Sequence, residues 1–353
     1  MLDPIDAEMI LSCLPIGQSR VREWLRESSA PELLANPPEE IKDWKKQINL
    51  DELKEKLKKN SARWVPAKKI SPFLLDLSDA PLGLFAKGPF DPSSIFNSVA
   101  IVGTRQPTEY GKKFARELAS YLAQRAVPVV SGLALGIDAA AHQGALEAEG
   151  STIGVLGTGI DIVYPAENKQ LFDGLSKTGL LLSEFPFGRP PDRTGFPRRN
   201  RLIVALASAV VVVESDEAGG AMITASIAKK LGRRLFALPG RVDQATARGP
   251  HKLIQDGATL VTSPEDFYRC FTNRPPPLQP DLFDDESAFP AVRKVVKSEM
   301  PGELVFLEEG DALSLDEISA KSKIPIVRLS ALVMDLELRG LLSKRLDGKY
   351  EAV

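Results

Sequence analysis

Between residues 98 and 268 the chain alternates short apolar runs with longer stretches of helical character. The runs are residues 99–102, 127–130, 152–156, 180–182, 210–213, 235–238 and 259–261. They are rich in β-branched residues and do not alternate with polar ones. That pattern predicts strands buried on both faces, in a parallel sheet covered by helices. Seven such strands separated by helical stretches predict a doubly wound, mostly parallel α/β domain.

The flanks read differently. Residues 1–62 predict a domain of short helices. Val21, Trp24 and Leu25 follow a Pro/Gly turn at helical spacing, and the charged stretch that closes near Asn60 carries i,i+4 pairs Glu52–Lys56 and Glu55–Lys59. Residues 63–97 hold Pro66, Pro72, Pro81, Pro89 and Pro92 and read as an irregular connector with short strands, so the α/β domain is taken as 63–271. Residues 272–290, proline-rich and acidic, read as a linker. In 291–353, Ser314 and Glu317 fit a capping box, and two short strands flank Asp347-Gly348, a hairpin signal. Helix, turn, helix and hairpin there predict a winged helix.

Composition narrows the function. The 353 residues are 43% hydrophobic and 26% charged, ordinary for a globular chain of two to three domains. The formal charge is −2, so a nucleic-acid site has to be a local patch. Two cysteines, Cys13 and Cys270, with no neighbouring Cys/His cluster exclude a zinc motif and a disulfide framework. The N-terminus lacks a basic segment, and the longest near-apolar run, 12 residues from 202 to 213, is too short for a bilayer. The expectation is a soluble cytoplasmic protein without membrane insertion.

In a doubly wound sheet, ligands bind beyond the C-terminal strand ends. The residues there are Gly103-Thr104-Arg105, Ser131-Gly132, Gly157-Thr158-Gly159, Ser183-Glu184, Glu214-Ser215 and Pro239-Gly240. These loops either form an anion-binding rim or merely make tight turns. Gly219 and Gly220, opening a helix that carries Thr224, are a further candidate backbone nest. Neither the dinucleotide fingerprint nor a Walker A motif is present, so no cofactor is expected.

Residues 188–201 form the densest charge cluster, with Arg189, Arg193, Arg198, Arg199 and Arg201 against Asp192 alone, and with Phe185, Phe187 and Phe196 around them. Arginines grip phosphates and aromatic rings stack on bases, so the cluster can serve as a single-strand platform. Alternatively, the arginines pair with acidic neighbours such as Glu184 and Glu214; for Glu214 the counter-ion role is preferred over a ribose contact. Asp138 and His142, four apart on one helix, can act as base and orienter, or Asp138 can simply cap the helix. No nucleophile accompanies them.

The motifs VAIVGTRQPTEYG, VVSGLALGIDAAAHQGAL, GVLGTGIDIVYPAEN, SEFPFG, FPRRNRLIVALAS, VVVVES, GGAMITA and ALPGRVD occur in this order. Over about residues 63–268 they closely resemble the DNA-processing protein A family, also called DprA or Smf. The resemblance implies a Rossmann-like domain that dimerises and binds single-stranded DNA taken up in natural transformation. It also implies protection of that DNA and loading of RecA recombinase onto it, with no enzymatic activity. It assigns DNA contacts to Arg105 and Arg193 and base stacking to Phe196, with Arg199, Asn200 and Arg201 matching the rest of the motif. The flanks resemble the family's helical N-terminal domain, of sterile-alpha-motif or helix-hairpin-helix type, and its winged helix.

Two departures stand out. Ala166 occupies a position that is often basic after Tyr-Pro, with Lys169 as a substitute one turn later. Gly219 stands where a serine is usual. Two other functions compete. A nucleotide-cleaving enzyme would need Pro-Gly-Gly-x-Gly-Thr, and Pro239-Gly240 is followed here by Arg241. A duplex-reading regulator would use Arg328, Arg339, Lys344, Arg345 and Lys349 of the tail, but residues 281–317 hold 11 acidic residues against three basic ones.

Overall fold

The computed structural model describes residues 2–95, 97–192, 194–272, 313–326, 329, 332, 333, 336, 342–344 and 349–352. The chain forms two compact units, Met1–Pro280 and Asp281–Val353.

The first unit opens with five helices, α1 (Pro4–Cys13), α2 (Gln18–Trp24), α3 (Ala30–Ala35), α4 (Trp44–Gln47) and α5 (Leu50–Lys59). Asp3 caps α1 and Asn49 caps α5 through their side chains, and Ser29 with Glu32 closes a capping box on α3. On α5, Lys56 lies 2.6 Å from Glu52, the expected i,i+4 pair. Trp44 is buried with its indole nitrogen donating to the Leu34 carbonyl at 3.0 Å. The region expected to be an irregular connector contributes β1 (Ala62–Pro66), α6 (Ala67–Ile70) and β2 (Gly83–Lys87). Both strands join the main sheet: β1 pairs antiparallel with β2. The N-terminal helices share one apolar core with this part of the sheet, where Ile10, Leu33 and Trp44 cluster with Trp64 and Phe85.

The remaining elements alternate: β3 (Val99–Val102), α7 (Glu109–Ala123), β4 (Val129–Ser131), α8 (Ile137–Glu147), β5 (Thr152–Leu156), α9 (Lys169–Thr178), β6 (Leu180–Ser183), α10 (Gly195–Leu206), β7 (Ala209–Val212), α11 (Gly220–Lys230), β8 (Arg234–Ala237), α12 (Ala245–Gln255), β9 (Thr259–Leu260) and α13 (Pro264–Thr272). All seven expected runs thus contain a strand. The nine-stranded order is β1-β2-β6-β5-β4-β3-β7-β8-β9, parallel from β6 to β9, with β2 antiparallel to β6. Period-two alternation divides the strand residues between two layers. Ala100, Val102, Val210 and Val212 face α10 and α11, while Val99, Ile101, Ala209 and Val211 face α7, α8 and α13. Burying both faces explains why these strands carry no polar alternation.

In the second unit, α14 (Leu315–Ser322) starts at the expected Ser314–Glu317 capping box, and β10 (Leu342–Lys344) pairs antiparallel with β11 (Tyr350–Ala352). Ile318, Leu329, Val333, Leu336, Leu342 and Tyr350 form its core. Of the expected linker 272–290 only Thr272 is described, at the end of α13; the rest of it, the expected turn at Asp347-Gly348, and Arg328, Arg339 and Arg345 lie outside the described residues. Among the described residues, no helix is long and apolar enough to cross a membrane.

Candidate nucleic-acid interface

The chain reverses direction across the sheet between β3 and β7, so the usual ligand crevice lies beyond their C-terminal ends. Here it is filled from within. The Glu214 carboxylate accepts hydrogen bonds from the Thr108 amide at 2.8 Å and the Thr108 hydroxyl at 2.5 Å, at the N-terminus of α7. It packs so tightly that a Cβ on Gly111 would stand 2.5 Å from its Cδ. The Thr104 amide donates to the Glu214 carbonyl at 2.7 Å, and the Ile137 amide to the Thr104 carbonyl at 3.2 Å. Gly103 is needed for the same closure, because a Cβ there would meet Ile137 at 2.5 Å. A carboxylate at a helix N-terminus occupies the place a phosphate would take. The counter-ion role expected for Glu214 is therefore corrected: its partner is Thr108, not an arginine.

The open cleft lies one step along the rim, beyond β3, β4 and β5. Arg105, Gly132 to Leu135, Leu156 to Thr158, Tyr164, Pro165, Phe196 and Arg199 line it, and its volume is about 50 Å³. Phe196 enters from the first turn of α10. The Arg105 guanidinium lies over the Phe196 ring, 5.1 Å from its centroid, and the Tyr164 ring lies 5.5 Å from it at 32°. Arg105 is exposed and, among the described residues, has no carboxylate within ion-pair distance. A cation held on an aromatic face with no neutralising acid is positioned for phosphate and base together.

Asp192 organises the start of α10. It accepts from the Thr194 hydroxyl and amide at 2.7 and 2.8 Å and from the Gly195 amide at 2.6 Å. The Thr194 hydroxyl and the Gly195 amide, with Arg189 adding its own bond, hold this carboxyl well below the usual range. The arginines of the cluster then separate by helical phase. Arg198 is exposed, 5.4 Å over the Phe185 ring and 3.8 Å from Glu184. Arg201 turns inward and is held by both Glu184 oxygens at 2.6 Å, with Asp79 beside it at 3.1 Å. Arg199 is buried and donates to the Val155 carbonyl at 2.6 Å. Burial draws Arg199 down to about 10, with Asp138 opposing that shift and Arg105 adding to it. It therefore stays cationic at neutral pH and adds a positive floor to the cleft.

Asp138 and His142 are the scaffold of this floor, not an exposed acid–base pair. Asp138 accepts from the Gly132 amide at 3.1 Å. His142 Nε2 accepts from the Leu133 amide at 3.3 Å, and Nδ1 meets the Thr152 hydroxyl at 2.7 Å. That hydroxyl donates to the Val129 carbonyl at 3.1 Å, so it receives the imidazole proton and fixes the tautomer. Burial raises Asp138 and lowers His142 to about 3. The Gly132 and Leu133 amides are thus already taken, and Ser131 is buried with its hydroxyl on the Ile101 carbonyl at 2.7 Å. Ser131 and Gly132 shape the rim without offering it donors.

The other expected residues do not line the cleft. Lys169 starts α9 and pairs with Asp173 at 2.8 Å. Asn200 is half-buried on α10. Gly219 caps α11, Gly220 opens it, and Thr224 is buried within it. Arg193 lies outside the described residues. Sequence reasoning missed Tyr164, whose aromatic contact with Phe196 spans 32 positions and leaves no local signal. Among the described residues, no cluster of three potential metal ligands occurs.

A family model described as DNA recombination-mediator protein A matches residues 63–272. DNA processing protein DprA of Bacillus subtilis is 42% identical over 210 residues, covering 60% of this chain and 71% of that one. The X-ray structure of DNA processing protein A from Streptococcus pneumoniae superposes with a TM-score of 0.67 at 32% identity, covering 76% of this chain and 98% of that one. DNA processing protein A from Helicobacter pylori, whose structure was studied for its single-stranded DNA binding mode, superposes with a TM-score of 0.55 at 31% identity, covering 60% and 96%. With the motifs, the sheet order and the family match in agreement, the chain belongs to the DNA recombination-mediator protein A family, DprA/Smf.

Proposed function

We propose that this protein binds single-stranded DNA without sequence preference on the rim beyond β3, β4 and β5. The observation that carries the reading is Arg105 resting on Phe196, without an ion-pair partner among the described residues, above a cleft floored by Arg199. Arg105 takes phosphate and Phe196 takes a base, with Arg198 along the same helix as a further phosphate contact. The single-strand binding studied in the Helicobacter pylori relative supports it.

The wider role follows the family resemblance: protection of incoming DNA in transformation and delivery to RecA, by a cytoplasmic homodimer that performs no catalysis. Residues 1–62 are assigned as a helical accessory domain, 63–271 as the Rossmann-like DNA-binding domain, 272–290 as a linker and 291–353 as a winged helix. Lys169, Arg193, Asn200, Arg201, Gly219, Gly220 and Thr224 belong to the proposed interface on the strength of sequence motif alone.

The test is fluorescence anisotropy of labelled oligo-dT and its matched duplex across a salt series. Tighter binding to the single strand is expected, with log K falling by about 0.7 per phosphate contacted as log salt rises. Arg105→Ala flattens that slope. Phe196→Ala weakens binding by roughly 1–3 kcal/mol and leaves the slope unchanged. Preference for the duplex would refute the reading.

A further inference from the structure

We propose that the groove between helices α1 and α2 and the corner from β1 into α6 is a docking site for a partner protein, which enters it with a short acidic segment carrying a leucine or phenylalanine. This inference stands apart from the single-strand reading and uses none of its residues.

The groove has a volume of about 400 Å³, the size of clefts that enclose a ligand or a few side chains. Leu25, Leu75 and Leu82, with Pro66, make its apolar wall. Leu75 is 48% exposed, although its neighbour Leu74 in the same 3₁₀ turn (Pro72–Asp76) is fully buried. The turn therefore anchors itself with one leucine and leaves the other facing the groove. The groove is also built in advance. Arg22 Nε and Nη2 donate to the Ala80 and Pro81 carbonyls, each at 2.7 Å, and the Gln18 side chain accepts from the Leu82 amide at 3.2 Å. Helix α2 is thus bolted to the segment that leads into β2, and an incoming chain does not have to order the site.

Charge decides what fits. Arg22, Arg26 and Lys68 line the groove against the single carboxylate of Glu8. Arg22, Leu25 and Arg26 follow helical spacing, so cation, leucine and cation share one face. Arg26 and Lys68 are exposed, and among the described residues no carboxylate lies within ion-pair distance of either. Burial raises Glu8, with Lys68 and Arg22 opposing that shift. Among the described residues Glu8 accepts no hydrogen bond, which leaves it to accept from the main-chain amides of the incoming segment. Acids on that segment meet Arg26 and Lys68 at the rim, and its apolar side chain covers Leu75. A nucleic acid fits less well: its phosphates would face Glu8, and the aliphatic wall offers no ring for a base to stack on. A second copy seated by two-fold symmetry would bring the same three cations face to face.

The experiment selects a displayed library of random short peptides on the immobilised full-length protein. Enriched peptides are then synthesised with a fluorescent label and titrated by anisotropy. The expected peptides are net negative with a leucine or phenylalanine among the acids, and their binding weakens as salt rises. Arg26→Glu and Leu75→Asp should each lose about tenfold or more in affinity. Exchanging one acid of the peptide for lysine should restore part of the affinity for Arg26→Glu. Both variants should bind oligo-dT as the parent does, which also reports that they are folded.

Neutral or basic peptides, or no enrichment at all, would overturn the proposal. So would acidic peptides that bind Arg26→Glu and Leu75→Asp as tightly as the parent. Oligo-dT that displaces the peptides and binds both folded variants more weakly would make the groove a nucleic-acid path instead. Loss of self-association in Leu75→Asp, measured by sedimentation, with no peptide bound by the parent, would make it a contact between copies.

Discussion

Gly132 lies directly against the guanidinium of Arg199. A Cβ there would stand 1.8 Å from Nη1 and 2.3 Å from Cζ. The alanine substitution therefore displaces a buried cation from the Val155 carbonyl, and overpacking of this kind costs roughly 1–3 kcal/mol. Urea unfolding of Gly132→Ala measures it; unchanged stability would show that Arg199 has space to retreat. His142 carries a second prediction. Its imidazole is held neutral to about pH 3, against an unperturbed value near 6.5. Below pH 6.5 the unfolded chain takes up a proton that the folded one refuses, so stability falls as pH drops from about 6.5 toward 3. The slope for this one group is about 1.4 kcal/mol per pH unit. Asp138, raised by burial, contributes with the opposite sign over the interval above its unfolded value, so His142→Gln isolates the imidazole. The melting temperature of that variant should be lower at pH 7 but fall less steeply on acidification than the parent's. At this scale the sequence was partly legible. Arg199 shares a helical face with Leu202, Ile203 and Leu206, all buried, so its inward orientation could be read from a period of 3.6. The Glu214–Thr108 contact could not, because its 106-residue separation carries no pattern.

Helix α10 shows how one element sorts a run of like charges. Its N-terminus is capped by Asp192, Phe196 and Arg198 stay at the rim, and Arg199 and Arg201 turn into the protein. The pairing reading of the arginine cluster holds for Arg198 and Arg201, which meet Glu184, and for Arg189, which meets Asp192. Arg201 answers to Glu184, while Arg105, contributed by a separate strand end, has no ion-pair partner among the described residues. For α7 the decisive group comes from β7. Replacing Glu214 by alanine leaves the Thr108 amide and hydroxyl without their partner, a loss of about 1–3 kcal/mol for a buried donor. Hydrogen exchange should report the damage in the first turn of α7 ahead of the rest of the helix. Uniform loosening of the whole sheet would instead make Glu214 a general core residue. Strands β1 and β2 were the least legible elements. Prolines dominate residues 63–97, yet Pro66 sits at the end of an edge strand, where a missing donor is tolerated.

Across the whole molecule, the sheet and the cleft belong to Met1–Pro280. A chain ending at residue 280 should therefore bind oligo-dT with the affinity and salt slope of the full protein, checked by the same anisotropy titration. A large loss would move the interface to the tail. The parallel part of the sheet was readable from composition because each strand is buried on both faces, but the site was readable only as a list of strand ends. Which loops stay open depends on side chains that cross between them, and that information is long-range.

The carboxylate of Glu214 at the helix that would otherwise cradle a pyrophosphate has a consequence in the cell. With the Glu214 carboxylate already on the Thr108 donors of the β3–β7 crevice, a free nucleotide should compete poorly with single-stranded DNA for the proposed rim. Millimolar ATP or NADH, added at constant ionic strength, leaves oligo-dT bound.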